Sequence, residues 1–363
     1  YNKLLMRIRF LFAFLIFLSL LYFSQLFVLY VNQLIFENKM NSFCYIYPLS
    51  TIITFALLLL ISKKISESLY CFIYLIMGLY LGYLLYIFQI GLIVRIFIFF
   101  NCFSKIYVNA IILYATPLII CIYGIINALN TKIEKITLKC PGYKDKITIL
   151  HLTDIHLGAI HQKNSVIKIV KEAQELEPDI VVITGDMADG SLKVKPDWLM
   201  PFDDLAVPIL YVTGNHEEMN PKVDMILAVN ATQIKYIGRH ETFKYKGINF
   251  IGEDFGYDLR KCLLDVKSED GVPNVLLSHI PILDPEELAR FNIFLFLAGH
   301  THGGQLFPFQ IFAYWANACF SGLYSDKTQS HHCFVSEGVN NALVPMRVGS
   351  SRVFPLIIIE GDN

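Results

Sequence analysis

The stretch ITILHLTDIH, residues 147–156, decides the fold. Residues 147–152 are a largely apolar, β-branched run, and Thr153-Asp154-Ile155-His156 is a polar burst directly after it. Four later stretches repeat this grammar. Residues 180–183 precede Thr184-Gly185-Asp186, and 209–212 precede Thr213-Gly214-Asn215-His216. Residues 275–277 precede Ser278-His279, and 294–298 precede Gly299-His300-Thr301-His302. Short β-branched runs bounded by turn residues read as buried strands. Between the first two, 164–176 reads as a helix, with Val166, Ile167, Ile169 and Val170 near Ala173 at helical spacing. Asn220-Pro221 and Asp284-Pro285-Glu286-Glu287 each open a further helix, with a cap residue and then Pro at the first helical position. Strands alternating with helices give an α/β sheet, and ligands gather outside the carboxyl ends of such strands. Five segments are therefore expected to bring their polar side chains to one edge.

Outward from this core the chain changes character. Of 363 residues, 55% are hydrophobic and only 17% charged, against about 25% charged in a soluble domain. That excludes a disordered chain, and the net charge of -1 carries no basic signature for nucleic acid. Residues 1–130 hold eight Lys or Arg and two acids, Glu37 and Glu67. All ten histidines follow residue 150. The chain opens on Tyr1 rather than Met, so its true N-terminus is expected to lie outside it.

Four uncharged runs, 10–36, 40–62, 68–94 and 106–131, exceed the roughly 20 residues that a spanning helix needs. The sequence therefore predicts a transmembrane region of about four helices over 1–131, a juxtamembrane linker and first strand over 132–145, and a globular domain over 146–363. The N-terminal tail, the Lys63-Lys64 loop and Lys132, Lys135 and Lys139 hold eight bases; the opposite loops hold Lys39, Arg95 and Lys105. Positive charge favours the inside, so the expectation is a multi-pass cell-membrane protein with its globular half on the cytoplasmic face. No run carries an ionisable group of the kind that transport pathways need. Gln25, Gln33 and Asn109 read as helix-packing glue. The eight cysteines are scattered without a C-x-x-C pair, and read as free thiols rather than a thiolate zinc site.

Asp154, His156, Asp186, Asn215, His279, His300 and His302 are oxygen and imidazole donors, a set that suits Mn, Fe or Zn. Seven are too many for one tetrahedral ion and suit two divalent ions sharing a carboxylate. His216 is left over as an imidazole for proton transfer near neutral pH.

Asp154-x-His156, Gly185-Asp186-x-x-Asp189, Gly214-Asn215-His216-Glu217, His279 and Gly299-His300-Thr301-His302 resemble, in order, the five motifs of the calcineurin-like metallophosphoesterases. The resemblance covers roughly 145–360. The segment 299–305, Phe334-Val335-Ser336-Glu337-Gly338 and Pro345-x-Arg347 resemble the membrane-associated branch with YkuE-like and UDP-2,3-diacylglucosamine pyrophosphatase-like enzymes. The resemblance implies a four-layer αββα sandwich, here preceded by an all-α bundle of four transmembrane helices. It implies that Asp154, His156 and His302 hold one metal, that Asn215, His279 and His300 hold the other, and that Asp186 bridges them. It further implies attack on phosphorus by a hydroxide shared between the ions. His216 would then stabilise the phosphoryl oxygens or protonate the leaving oxygen.

Other residues take plainer readings. Asp189 braces its loop, and Glu217 orients its neighbours. His151 belongs to the core or a sheet face; His161 and His240 belong to the surface. His331-His332 is read as having no part in the site, with a substrate contact as the alternative, and Arg347 either grips a phosphate or is structural. Residues 306–324, rich in Phe and carrying Trp315, are read as core packing, with an apolar flank facing lipid as the alternative. The leading function is a membrane-anchored phosphohydrolase cleaving a phosphodiester or pyrophosphate bond, with a lipid-linked substrate suggested by the anchor and the branch resemblance. The alternatives are a membrane-associated protein phosphatase, or a sensor or transporter domain that binds metal without turnover.

Overall fold

A computed structural model describes residues 3–37, 42–61, 65–102, 106–218, 222–264 and 272–361. The chain divides into two compact units, Tyr1–Gly124 and Ile125–Asn363.

The first unit is helical: α1 (Lys3–Phe36), α2 (Ser42–Ile61), α3 (Glu67–Phe99) and the larger part of α4 (Ile106–Leu129). Among the described residues three stretches are long and apolar enough to cross a membrane: Leu18–Phe36, Glu67–Phe99 and Tyr107–Leu129. The expected run at 40–62 coincides with α2, and part of that run lies outside the described residues. Three candidate spans therefore stand in place of four. Arg95, expected in a loop, lies inside α3 with its guanidinium 6.0 Å from the Phe99 ring centroid. A helix of 33 residues is longer than a bilayer's hydrocarbon core requires, so a candidate span of this length has room for a charge one turn from its end. Val31, Val94 and Leu113 are fully buried in this unit. Gln25 acts as the expected glue: its Oε1 accepts the Thr51 hydroxyl at 3.2 Å.

The second unit holds twelve strands among its described residues: β1 (Thr131–Cys140), β2 (Lys146–Leu152), β3 (Ile180–Thr184), β4 (Ile209–Val212), β5 (Lys235–Tyr236), β6 (Thr242–Tyr245), β7 (Ile248–Gly252), β8 (Asn274–Leu277), β9 (Leu295–Ala298), β10 (Gly322–Ser325), β11 (His332–Val335) and β12 (Arg352–Gly361). They form two six-stranded mixed sheets, in the orders β1-β12-β2-β3-β4-β5 and β10-β11-β9-β8-β7-β6. The five expected strands thus divide, with β2, β3 and β4 parallel in one sheet and β8 and β9 parallel in the other. One edge of a single sheet becomes the aligned carboxyl edges of two. Sequence alone cannot distinguish these, because a doubly covered strand reads the same in either sheet.

The four-layer order follows from period-two burial. Ile147, Ile149, Ile180 and Val182 face Phe250, Val275, Leu277, Leu295 and Leu297 across the gap between the sheets. Leu150, Leu152, Val181 and Ile183 point the other way, onto α5 (Lys163–Glu175) and α6 (Pro196–Leu199). In the second sheet, Leu276 and Phe296 face outward onto Leu259, Leu263 and Leu288. The first two of these belong to α8 (Leu259–Leu263), and the third to α9 (Pro285–Arg290). This is the αββα sandwich. α5 buries Val166, Ile169, Val170 and Ala173, while Ile167 is 47% exposed and not part of the apolar face. α9 starts where its cap predicts, with the Asp284 carboxylate accepting the Glu287 N–H at 2.8 Å. The other expected cap, Asn220-Pro221, lies outside the described residues; α7 is described as Lys222–Val229.

Candidate active site

The ligand-type residues sit at the strand ends in an unusual backbone. Asp154, His156, Asp186, His300 and His302 all have positive φ, between 48° and 73°. Left-handed backbone is uncommon for non-glycine residues and costs of order 1–3 kcal/mol each. Neighbouring loops fix it here. The Asp154 N–H donates to the Gly185 carbonyl at 3.2 Å, and the His156 N–H to the Asp186 carbonyl at 3.0 Å. Gly185, at φ 87°, lets three strand ends meet. A Cβ there would stand 2.7 Å from the Gly214 nitrogen and 2.8 Å from the His279 ring.

Two groups of side chains converge. Asp154, His156 and His302 bring their donor atoms within 4.8 Å of one another, as do Asp186, His279 and His300. A third such group, His156, Asp186 and His216, joins them. The Nε2 atoms of His156 and His302 stand 2.9 Å apart, and Asp154 Oδ1 lies 3.2 Å from the latter. Asp186 Oδ2 lies 3.1 Å from His279 Nε2 and 3.9 Å from His156 Nε2. Several of these buried atoms make no hydrogen bond: Asp154 Oδ1, Asn215 Oδ1 and His279 Nε2. Buried polar atoms are normally paired, so Asp154 Oδ1 and His279 Nε2, without hydrogen bonds and each inside one of the two donor groups, fit a pair of divalent ions. Asp154, Asp186, His156 and His279 are almost fully buried.

The second layer sets the tautomers. His279 Nδ1–H donates to the Thr184 carbonyl at 2.9 Å, which turns Nε2 inward. Glu217 accepts the backbone N–H groups of Asp186 (3.1 Å), Ala188 (2.9 Å) and Gly214 (2.6 Å). Burial, with Asp186 beside it, pushes its carboxyl up to about 7. Asp189 takes the Ser191 N–H at 2.7 Å and its hydroxyl at 2.6 Å, so its side chain braces the loop. Its carbonyl does more, accepting His216 Nδ1–H at 3.0 Å and turning His216 Nε2 toward Asp186 Oδ2, 3.9 Å away.

Arg347 takes the structural reading. It is fully buried, and donates to the carbonyls of Asn340 (2.6 Å), Glu337 (2.7 Å) and His302 (3.2 Å). It holds the loop that carries His302 and does not face solvent. Asn340, which sequence reasoning passed over, donates its amide to the Ile155 carbonyl at 2.7 Å between Asp154 and His156. Nothing in its neighbours' spacing marks it. His151 is a core residue paired with the Thr184 hydroxyl at 2.7 Å, and burial lowers it to about 3. His161, expected at the surface, is half-buried with its Nε2 screened from solvent, and burial lowers it to about 3. His240 is 45% exposed and pairs with Glu253 at 2.6 Å. His332 pairs with Leu295 at the start of β9, the end of the strand opposite the site, which places His331-His332 remote from it.

The charge state of the cluster has a measurable consequence. Burial would lower His279, but the carboxylates of Asp186 and Asp154 carry it up to about 10. Burial and the neighbouring His279 lower His300 to about 4. At neutral pH His300 is thus ready to bind an ion, whereas His279 carries a proton that an ion must displace. Calorimetric titration of the metal-free chain with Mn²⁺ at pH 7 should therefore show release of about one proton from this residue. Affinity should rise with pH toward 10. Heats that do not depend on the buffer's ionisation enthalpy would contradict this.

The profile of one family, described as calcineurin-like phosphoesterase, matches residues 147–304, which include all eight residues of the cluster. A metallophosphoesterase-named protein of Caenorhabditis elegans is 33% identical over 227 residues, covering 56% of this chain and 46% of that one. An uncharacterized metallophosphoesterase of Helicobacter pylori is 32% identical over 222 residues, 57% of this chain and 59% of its own length. A Bos taurus transmembrane protein with metallophosphoesterase domain is 29% identical over 270 residues, 67% and 60%. The chain thus spans about half to three fifths of the length of these relatives. A solved dimetal phosphatase from Danio rerio aligns at 13% identity and TM-score 0.34, over 53% of this chain and 87% of that one.

Proposed function

We propose that this protein is a membrane-anchored dimetal phosphohydrolase, a reading supported by the match of residues 147–304 to the calcineurin-like phosphoesterase family. Its bond is a phosphodiester or pyrophosphate, carried on a lipid-linked molecule. The observation that carries the reading is the convergence of two ligand groups on Asp186, with His216 Nε2 left facing the same space.

Asp154, His156 and His302 would hold one ion. Asn215, His279 and His300 would hold the other, with Asp186 between them. Divalent ions in such a site acidify bound water and neutralise charge developing on the phosphoryl group. The chain's own residues do the rest. Thr184 and Arg347 hold the imidazole ligands in place through His279 Nδ1 and the His302 carbonyl. Glu217 and the Gly185 turn hold Asp186 against His279. His216 is fixed at Nδ1 by the Asp189 carbonyl and is 22% exposed at its side chain, so Nε2 can meet a substrate and, in the doubly protonated imidazolium, give its proton to the leaving oxygen while Nδ1–H stays on Asp189. The three apolar helices support the anchor.

The test is hydrolysis by the full chain in detergent. Mn²⁺ should restore turnover of bis-p-nitrophenyl phosphate to chelator-stripped protein, and chelation should abolish it again. Metal binding without turnover of either the diester or a pyrophosphate would favour a sensor domain instead.

A further inference from the structure

Beyond the reaction, the geometry points to a membrane-docking element: α10 (Phe309–Ala316) is an interfacial helix whose aromatic face enters the headgroup region of the bilayer that the N-terminal helices cross. This rests on the membrane reading of those helices.

The first observation is exposure. The residues 306–324 were expected to pack in the core, yet α10 buries none of its residues. Phe312 is 65% exposed, Tyr314 60% and Trp315 82%. Phe307, Phe309 and Ile311 are exposed beside them. A contiguous apolar patch of this kind marks an interaction surface. The helix carries no charged residue, so its partner is apolar rather than a charged peptide or nucleic acid.

The second observation fixes what the partner is. α10 and the end of α4 hang on one loop. The Gln310 amide donates to the Val348 carbonyl at 2.9 Å, and the Phe307 N–H donates to the same carbonyl at 2.9 Å. The Asn127 amide, in the last turn of α4, donates to the carbonyls of Arg347 at 3.1 Å and Ser350 at 2.7 Å. Asn127 belongs to the candidate span Tyr107–Leu129. The end of a span marks the headgroup level, where Trp and Tyr are enriched. The exposed aromatics are therefore held beside that level by three adjoining carbonyls.

The third observation ties α10 to the site. It follows His302 by seven residues, and Gly304 lets it pack close, since a Cβ there would lie 2.5 Å from the Gln310 backbone. A helix without Lys or Arg binds by apolar burial, so neutral lipid suffices.

The chain has two tryptophans, Trp198, which is 4% exposed, and Trp315. The test compares the full chain in vesicles of ordinary phosphatidylcholine with vesicles of acyl-brominated phosphatidylcholine. Trp315→Phe is the subtraction control that isolates the Trp198 signal. Trp315 emission should fall about twofold or more in brominated lipid, since an interfacial helix sinks ~5–10 Å into the boundary with the acyl chains. Trp198 should not change. Equal Trp315 emission in both lipids, with quenching by aqueous iodide, would overturn the docking of α10 while leaving the anchor intact. A chain that does not float with the vesicles would overturn the anchor and the docking together. Neither result bears on hydrolysis of the soluble diester, which is read separately.

Discussion

Replacing Asp186 with Asn should lower turnover by at least ~10³-fold, because several kcal/mol of charge stabilisation are at stake and each 1.36 kcal/mol is tenfold. Asp186 is 2% exposed and is the side chain common to two of the ligand groups. Its Oδ1 accepts the His216 N–H at 2.9 Å, and its Oδ2 faces His279 Nε2 at 3.1 Å. An amide keeps one acceptor and turns two N–H donors toward whatever sits there. If its oxygen keeps the His216 bond, the amide nitrogen meets His279 and the ion. The backbone should survive, since Asn tolerates the left-handed region that Asp186 occupies at φ 50°. A second readout separates this loss from general damage. The carboxylate of Asp186 is one of the two that keep His279 protonated, so the variant should release less than the parent's proton when Mn²⁺ binds. Turnover within tenfold of the parent would remove Asp186 from the centre.

His216→Ala should cost ~10²–10⁴-fold, the usual contribution of a positioned proton donor, with metal content unchanged. His216 is more open than the ligands, its ring packs edge-on to His156 at 4.7 Å, and only its Nδ1 is engaged by protein. The loss should depend on the leaving group. A p-nitrophenolate departs without a proton, so the variant should lose little on bis-p-nitrophenyl phosphate and most on an alkyl diester. An equal loss on both substrates would move His216 from protonating the leaving oxygen to binding the phosphoryl oxygens. Loss of metal in the variant would make it a ligand, which the grouping with His156 and Asp186 also allows.

Much of this site was legible because each ligand follows a strand end. The apolar runs before Asp154, Asp186, Asn215, His279 and His300 place β2, β3, β4, β8 and β9 to within two residues. What stayed hidden depends on pairings distant in the chain. β12 inserts between β1 and β2, pairing Thr131 with Arg352, and no local pattern announces that register. The division of five strands over two sheets is invisible for the same reason. The left-handed backbone at five ligand positions is a product of loop-to-loop hydrogen bonds, not of residue type. Arg347 reads equally as a phosphate grip or a structural residue until its buried carbonyl partners are seen. α10 reads as core because its composition is apolar, and only its surroundings reveal that nothing in this chain covers it among the described residues.

The most direct test of the dinuclear centre is the electron paramagnetic resonance spectrum of the Mn²⁺-loaded full chain. Two ions held by these residues and sharing Asp186 should give the broadened, exchange-coupled signal of a pair, at two ions per chain. In Asp186→Asn that signal should collapse to uncoupled Mn²⁺. A six-line spectrum of isolated ions in the parent chain, or one ion per chain at saturation, would contradict the dinuclear centre and the phosphohydrolase built on it.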